Sequence, residues 1–198
     1  MKILGAIIAG GESKRMGEEK ALLKLDGVTI LERIASRLRI QVDEVILNAN
    51  GDNARFANSG IPFIADLLTT IATPLAGLHA VLRYGDENNF DAVVTVPSDS
   101  PFIPLDLVSR LLEAGEEKGA AIARSHDQEH YLTGIWTTAL SRPLEKLILH
   151  ENLRRMQDFV SRVEAPSVLW SDQPHDPFFN INTPDDLKIA ELIAKGKA

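Results

Sequence analysis

Three short segments of this chain carry residue types at spacings that chemistry can use. The first runs Ala9-Gly10-Gly11-Glu12-Ser13-Lys14-Arg15-Met16-Gly17-Glu18-Glu19-Lys20, a glycine pair closing an apolar run and then Lys14, Arg15 and Lys20 in quick succession. Glycines without side chains let backbone N–H groups approach phosphate oxygens closely, and Arg15 and Lys20 carry the charge to neutralise a triphosphate. The spacing is neither G-x-G-x-x-G nor a Walker loop, because Gly17 is followed by Glu18 rather than Lys. A solvated basic turn after an edge strand fits the same residues, and their chemistry alone does not choose between the two.

The second segment, Pro97-Ser98-Asp99-Ser100-Pro101, sets one acid at the tip of an apolar run, with prolines stiffening the backbone on both sides. A carboxylate there suits Mg²⁺, which is held by one or two protein carboxylates together with phosphate oxygens and water. A turn-forming Asp explains the same residues. The third, Asn180-Ile181-Asn182-Thr183-Pro184-Asp185-Asp186, puts two Asn on one side of an extended stretch ahead of a helix N-terminus. Helix N-termini favour anions, and an Asn amide can donate to phosphate or complete a metal's oxygen shell. Capping needs only Thr183, which leaves Asn180 and Asn182 for another purpose. A further match, His126-Asp127-Gln128-Glu129-His130, has the H-x-x-E-H spacing of inverted zinc proteases. That chemistry requires both His on one helix face, whereas this pentapeptide lies between two strand-like runs.

The elements that must position these residues follow from periodicity. Apolar, β-branched runs at Ile3–Ala9, Glu44–Ala49, Pro62–Ala65, Ala92–Val96, Ala120–Arg124, Leu132–Thr137 and Ser167–Trp170 alternate with helical patterns, which predicts an α/β domain with a largely parallel sheet. Thr29 and Glu32 predict a capping box ahead of Ile30, Ile34 and Leu38. Pro74 and Gly85 bracket a second helix, Pro104 opens a third, and Thr183-Pro184 opens the last. Two amphipathic segments, 140–150 and 153–163, read as an appendage to the sheet. In an open α/β sheet ligands bind at the carboxyl ends of strands, where the first two segments fall.

Composition limits the possibilities. The 198 residues are 44% hydrophobic and contain no Cys, which excludes disulfide scaffolds, thiol catalysis and Cys-ligated metal centres. One domain spanning 1–198 is expected. A net charge of −7 argues against nucleic-acid partners. The apolar run after Lys2 is too short for a secretory signal, and no stretch of about 18 apolar residues predicts a membrane span, so a cytoplasmic location is expected.

Taken together, Ile8-Ala9-Gly10-Gly11-x-Ser13-x-Arg15-Met16-Gly17-x-x-Lys20, Pro74-Leu75-Ala76-Gly77, Pro97-x-Asp99-x-Pro101 and Asn180-x-Asn182-Thr183-Pro184 resemble the molybdenum cofactor guanylyltransferase family. The glycine-rich part is shared by a wider group of nucleotidyltransferases; its occurrence in order with the other elements is more specific. The resemblance implies a Rossmann-like three-layer fold of the nucleotide-diphospho-sugar transferase type. It implies transfer of GMP from GTP to the molybdopterin-bound molybdenum cofactor, with release of pyrophosphate. Carried over by position, Ile8, Ala9, Gly10, Gly11, Lys20, Asn48, Asp66, Gly77 and Asp99 would bind the nucleotide, Asp99 would also hold Mg²⁺, and Arg15, Lys20 and Asp99 would be catalytic. His130, Arg154, Arg155, Asn180 and Asn182 would face the molybdopterin acceptor, so the N-terminal part would serve GTP and the C-terminal part molybdopterin. Many relatives read His-Pro where this chain has His130-Tyr131. The resemblance further implies transient contacts with proteins that deliver the cofactor or receive the product. A cytidylyltransferase on the same cofactor shares the glycine signature and the metal-binding Asp, and a nucleotide-binding module without turnover would need no metal.

Overall fold

The computed structural model describes residues 1–9, 20–51 and 53–196. The expected phosphate-binding residues Gly10, Gly11 and Arg15 therefore lie outside the described residues. At the centre is β1, Ile3–Ala9, whose first six residues are all buried. It pairs in parallel with β4, Glu44–Ala49, on one side and with β6, Ala92–Pro97, on the other. Among the described residues the sheet has seven strands, running β5 (Phe63–Ile64), β4, β1, β6, β8 (Gln128–Thr137), β7 (Ala120–Ser125) and β9 (Ser167–Trp170).

Alternation along the strands builds a core on each face. Ile3 and Ile7 of β1 pack with Leu31, Ile34 and Leu38 of α1 (Ile30–Arg39), with Leu107 and Leu111 of α3 (Leu107–Gly115) and with Ala190 of α6 (Pro184–Ala194). Leu4, Ala6 and Ile8 face the other way, toward Leu75, Leu78 and Leu82 of α2 (Pro74–Glu87), Leu144 and Ile148 of α4 (Ser141–His150) and Phe159 of α5 (Met156–Arg162). The result is the expected α/β fold with helices covering both faces of a mostly parallel sheet. No helix of the described residues is long and apolar enough to cross a membrane.

Strand β8 is the one member running against its neighbours, antiparallel to both β6 and β7. It starts at Gln128, four residues before the apolar pattern predicts, because the turn from β7 needs only His126 and Asp127, with Ser125 already opposite Gln128 and His126 at φ 47°. Its register on β7 then jumps from Ile122↔Gly134 to Ala123↔His130, while pairing with β6 stops at Thr95↔Gly134. Tyr131, Leu132 and Thr133 are left without ladder partners, and the sheet opens there. The H-x-x-E-H match is dispersed by the same hairpin, with His126 on the turn and His130 on a strand. No group of three metal-ligating side chains occurs among the described residues.

Other boundaries depart from expectation for local reasons. Helix α2 runs two residues past Gly85, which sits inside it because a Cβ there would lie 2.9 Å from Thr138 Cγ2 and 3.0 Å from Val93 Cγ2. Helix α3 begins at Leu107, since Pro104 forms a turn in which its carbonyl accepts from Leu107 N. A hairpin of two-residue strands, β2 (Lys24–Leu25) and β3 (Val28–Thr29), turns on Asp26-Gly27, both at positive φ; the strands are too short to show alternation. At α1 Thr29 Oγ1 accepts from Glu32 N and only that half of the expected box forms, whereas α6 closes both halves between Thr183 and Asp186.

One buried group sets an acid limit on stability. His79 of α2 is 1% exposed, and neither ring nitrogen has a hydrogen-bond partner among the described residues; Glu145 Oε1 stands 3.8 Å from Nε2. Burial pushes the imidazole pKa down, with Glu145 opposing. The folded state therefore holds the neutral ring while the unfolded chain takes up a proton as pH falls through about 6.5, so stability is full above that pH and declines below it. Melting temperature should fall between pH 7.5 and 5.5, and fall less in His79→Leu; an equal fall in both proteins would remove His79 as the cause.

Candidate functional site

Because both faces of the sheet are covered, polar side chains collect where strands end. The parallel register brings the carboxyl ends of β5, β4, β1 and β6 to one edge, and the reversal of β8 brings its amino end there too. Asp66 follows β5, Asn48 lies on β4, Ile8 and Ala9 close β1, and Asp99 follows β6. Three strand spacings of about 4.8 Å put Asp66 and Asp99 on the order of 14 Å apart across the edge.

At one end a network holds Asp66. Asn48 Nδ2 donates to Asp66 Oδ1 at 2.9 Å and Asn50 Nδ2 to Oδ2 at 2.7 Å, while the Asp66 backbone N–H donates to Asn50 Oδ1 at 2.9 Å. Asn48 is buried against Gly77 of α2, where a Cβ would lie 2.6 Å from Asn48 Oδ1 and 3.2 Å from Ile8 Cγ2. The glycine of Pro74-Leu75-Ala76-Gly77 is thus fixed by the amide it faces.

At the other end, Asp99 is mostly buried and its Oδ1 meets no donor among the described residues. Burial raises its carboxyl pKa, the nearby Lys20 ammonium opposing. Its backbone is anchored where Ile181 N donates to Asp99 O at 3.0 Å and Ser98 N to Ile8 O at 3.1 Å. The Asn180-x-Asn182 segment thereby lies against the Asp99 turn. Ser100 Oγ donates to Asn180 Oδ1, and Lys20 Nζ donates to Asn182 Oδ1 at 2.9 Å. Asn182 N and Thr183 N both donate to Asp186 Oδ2, which holds the Asp186 carboxyl below the usual carboxylate range. The unused carboxylate oxygen of Asp99 is a hard donor of the kind Mg²⁺ takes, one protein carboxylate being enough where phosphate and water complete the shell, while the Lys20 ammonium suits phosphate rather than the cation.

Next to Asp99 the gap between β6 and β8 forms a cavity of about 350 Å³, lined by Ile8, Pro74, Asp99, His130, Tyr131, Met156 and Asn180 among others. His130 Nε2 is 2.7 Å from Ser125 Oγ, and its ring lies 4.7 Å from that of Phe178. Burial lowers the His130 pKa, the Asp176 charge opposing. The paired arginines are placed differently from one another. Arg154 Nη1 donates to the carbonyls of Ile148 and Leu153, closing the end of α4, while exposed Arg155 donates to Gln157 Oε1 beside the cavity-lining Met156.

The structure therefore brings Ile8, Asp99, His130 and Asn180 to one cavity, joins Lys20 to Asn182 beside it, and sets Asn48 and Gly77 next to Ile8 with Asp66 at the far end of the same edge. Sequence reasoning missed Asn50, although its i, i+2 relation to Asn48 at the end of a strand was a usable signal. It also missed Ser125 and Phe178, which frame His130 only once the hairpin and the segment before α6 have folded.

The model of the MobA-like NTP transferase domain matches residues 5–165. A protein of Nitrobacter hamburgensis named Molybdenum cofactor guanylyltransferase is 38% identical over 195 residues, covering 96% of this chain and 93% of its own. One of the same name from Rhodopseudomonas palustris is 40% identical over 193 residues, covering 95% and 92%. The crystal structure of molybdopterin-guanine dinucleotide biosynthesis protein A from Archaeoglobus fulgidus superposes with a TM-score of 0.74 at 27% identity, over 98% of this chain and 99% of that one.

The packing of Gly77 on Asn48 yields a test independent of any ligand. Gly77→Ala should destabilise the protein by about 1–3 kcal/mol through overpacking. Denaturant titration of the Gly77→Ala, Asn48→Ala and double variants should give a double variant less destabilised than the two single effects added together. Strict additivity would mean that the two residues do not meet.

Proposed function

The chain belongs to the MobA-like NTP transferase family, and from that premise we propose that it transfers GMP from GTP to the molybdopterin-bound molybdenum cofactor, releasing pyrophosphate and forming a guanine dinucleotide. The observation that carries this reading is the row of Asp66, Asn48, Ile8 and Asp99 across four parallel strand ends, with a cavity open beside its Asp99 end. Two curated relatives named Molybdenum cofactor guanylyltransferase, matched over more than nine-tenths of both chains, support it.

In this reading guanine sits at Asp66. Guanine presents N1–H and N2–H₂ as adjacent donors, which a carboxylate can accept with two oxygens. Cytosine offers one donor beside the N3 acceptor, which a carboxylate repels, so the cytidylyl alternative is disfavoured by the same residue. The phosphates extend past Ile8 and Ala9 toward Lys20 and Asp99, with Gly10, Gly11 and Arg15 of the intervening sequence assigned to them as well. Lys20, presented by Asn182, places its ammonium on the phosphate chain. Asp99 would hold Mg²⁺, whose charge would stabilise that developing on the phosphate oxygens.

The acceptor occupies the cavity between β6 and β8, its pterin beside His130 and its terminal phosphate near Arg155, with Arg154 shaping the approach. Asn180, held by Ser100, faces the same space. An oxygen of the acceptor phosphate attacks the α-phosphorus of GTP; the bond from that phosphorus to the β-bridging oxygen breaks, and pyrophosphate leaves. No protein nucleophile takes part, so the chain contributes alignment and charge neutralisation. GTP as co-substrate fits a cytoplasmic enzyme, and the open cavity fits a protein that receives and passes on a large cofactor through transient contacts.

Incubation with Mg²⁺, molybdopterin-bound cofactor and either GTP or CTP should release pyrophosphate faster from GTP; faster release from CTP overturns the assignment. Asp99→Asn should lower turnover by about 10²- to 10³-fold with no loss of melting temperature. Unchanged turnover in that variant would remove Asp99 from the chemistry.

A further inference from the structure

Asp66 is supported from one side only. It follows β5, the outermost strand at its end of the described sheet, and its hydrogen-bond partners among the described residues come from β4 and the residue just after it. The parallel register pairs Asn48 with Ile64, and two residues on it sets Asn50 beside Asp66. There the Asn50 amide makes a reciprocal pair, accepting from the Asp66 backbone N–H and donating to Asp66 Oδ2. An ionised carboxylate has only acceptor sites, so the Asn50 amide must present Nδ2 to it and Oδ1 to the backbone N–H. Asn50 is itself tethered, since Arg55 Nη2 donates to its carbonyl at 3.1 Å.

We infer that Asn50 is a positioning residue that sets base specificity, by fixing the Asp66 carboxylate as a two-oxygen acceptor for a purine whose edge offers two adjacent N–H donors. This rests on the proposed placement of guanine at Asp66. Asn48 and Asn50 each supply one hydrogen bond, one to each carboxylate oxygen, and each oxygen retains a second lone pair. Without Asn50, the hydrogen bond that restrains rotation about the Asp66 Cα–Cβ and Cβ–Cγ bonds, among the described residues, is that of Asn48 to Oδ1. The second oxygen then loses its fixed direction, and the two-point fit that separates guanine from bases with one donor is lost first. A purely structural role, such as tying the turn after β4 to β5, would lower melting temperature without altering the choice among nucleotides.

The probe that isolates the second contact is inosine 5′-triphosphate, which keeps N1–H and lacks the N2 amino group. Dissociation constants for GTP, ITP and CTP are measured with the full chain and Mg²⁺ but without acceptor, alongside melting temperatures. Wild type should favour GTP over ITP by about tenfold, the scale of one hydrogen bond to a charged group. Asn50→Asp keeps the shape and the acceptor to the backbone but turns an oxygen toward Asp66 Oδ2, and should bring the GTP to ITP ratio within about twofold of unity. Asn50→Ala should reduce the ratio in the same direction. If wild type prefers GTP to ITP and both variants keep the wild-type ratio, the role of Asn50 is overturned while guanine at Asp66 stands. If wild type binds GTP, ITP and CTP alike, both fall together.

Discussion

A sheet covered by helices on both faces has only its edges left for polar chemistry, and here that constraint governs where Asn48, Asp66, Asp99 and His130 sit. Residues inside β1, β4 and β6 are buried and almost all apolar. Two residues are exceptions: Thr95 of β6, whose hydroxyl donates to Leu132 O and accepts from Trp136 Nε1, and Asn48, which lies near the end of its strand and bonds to a carboxylate from the next one. Parallel order then aligns the ends of neighbouring strands along one line, and the spacing of strands sets the spacing of functional groups. Reversing a single strand, β8, adds residues from its beginning to the same line and leaves the gap that forms the cavity.

Holding polar groups at such an edge imposes local costs that neighbouring residues offset. The Asp99 carboxylate is mostly buried with one oxygen unused, a destabilising arrangement on its own, and its turn is fixed by the carbonyl contact with Ile181 and the hydrogen bond between Ser100 and Asn180. Asn182 spans from the segment before α6 to Lys20, so residues distant in sequence share one small network. Gly77 is small because Asn48 needs the space. Each arrangement exchanges packing or solvation for direction, the trade on which preorganised sites depend.

Much of this was legible in the residues. The strands Ile3–Ala9, Glu44–Ala49 and Ser167–Trp170 follow from apolar runs bounded by polar turns, and the α6 start from Thr183-Pro184 with Asp186. The first half of β8 was not, because Gln128, Glu129 and His130 face a cavity rather than a core and so break the apolar pattern that marks a strand. Asn182 read as a donor to phosphate or a member of a metal's oxygen shell, and the fold shows its amide oxygen engaged by Lys20. Arg154 and Arg155, adjacent in sequence, diverge because one caps the end of α4 while the other stays exposed. In each case the missing information was which residue lies opposite, a property of tertiary register rather than of local type.

In the proposed arrangement one nucleotide spans the strand ends from Asp66 to Asp99 and leaves the β6–β8 cavity open for its acceptor. A crystal structure of the protein grown with GTP and Mg²⁺ addresses this most directly. Guanine N1–H and N2–H₂ should lie on the Asp66 carboxylate, with the triphosphate running past Ile8, a cation on Asp99 Oδ1 and the cavity beside His130 still vacant. Guanine seated in that cavity, or a cation bound away from Asp99, would contradict it.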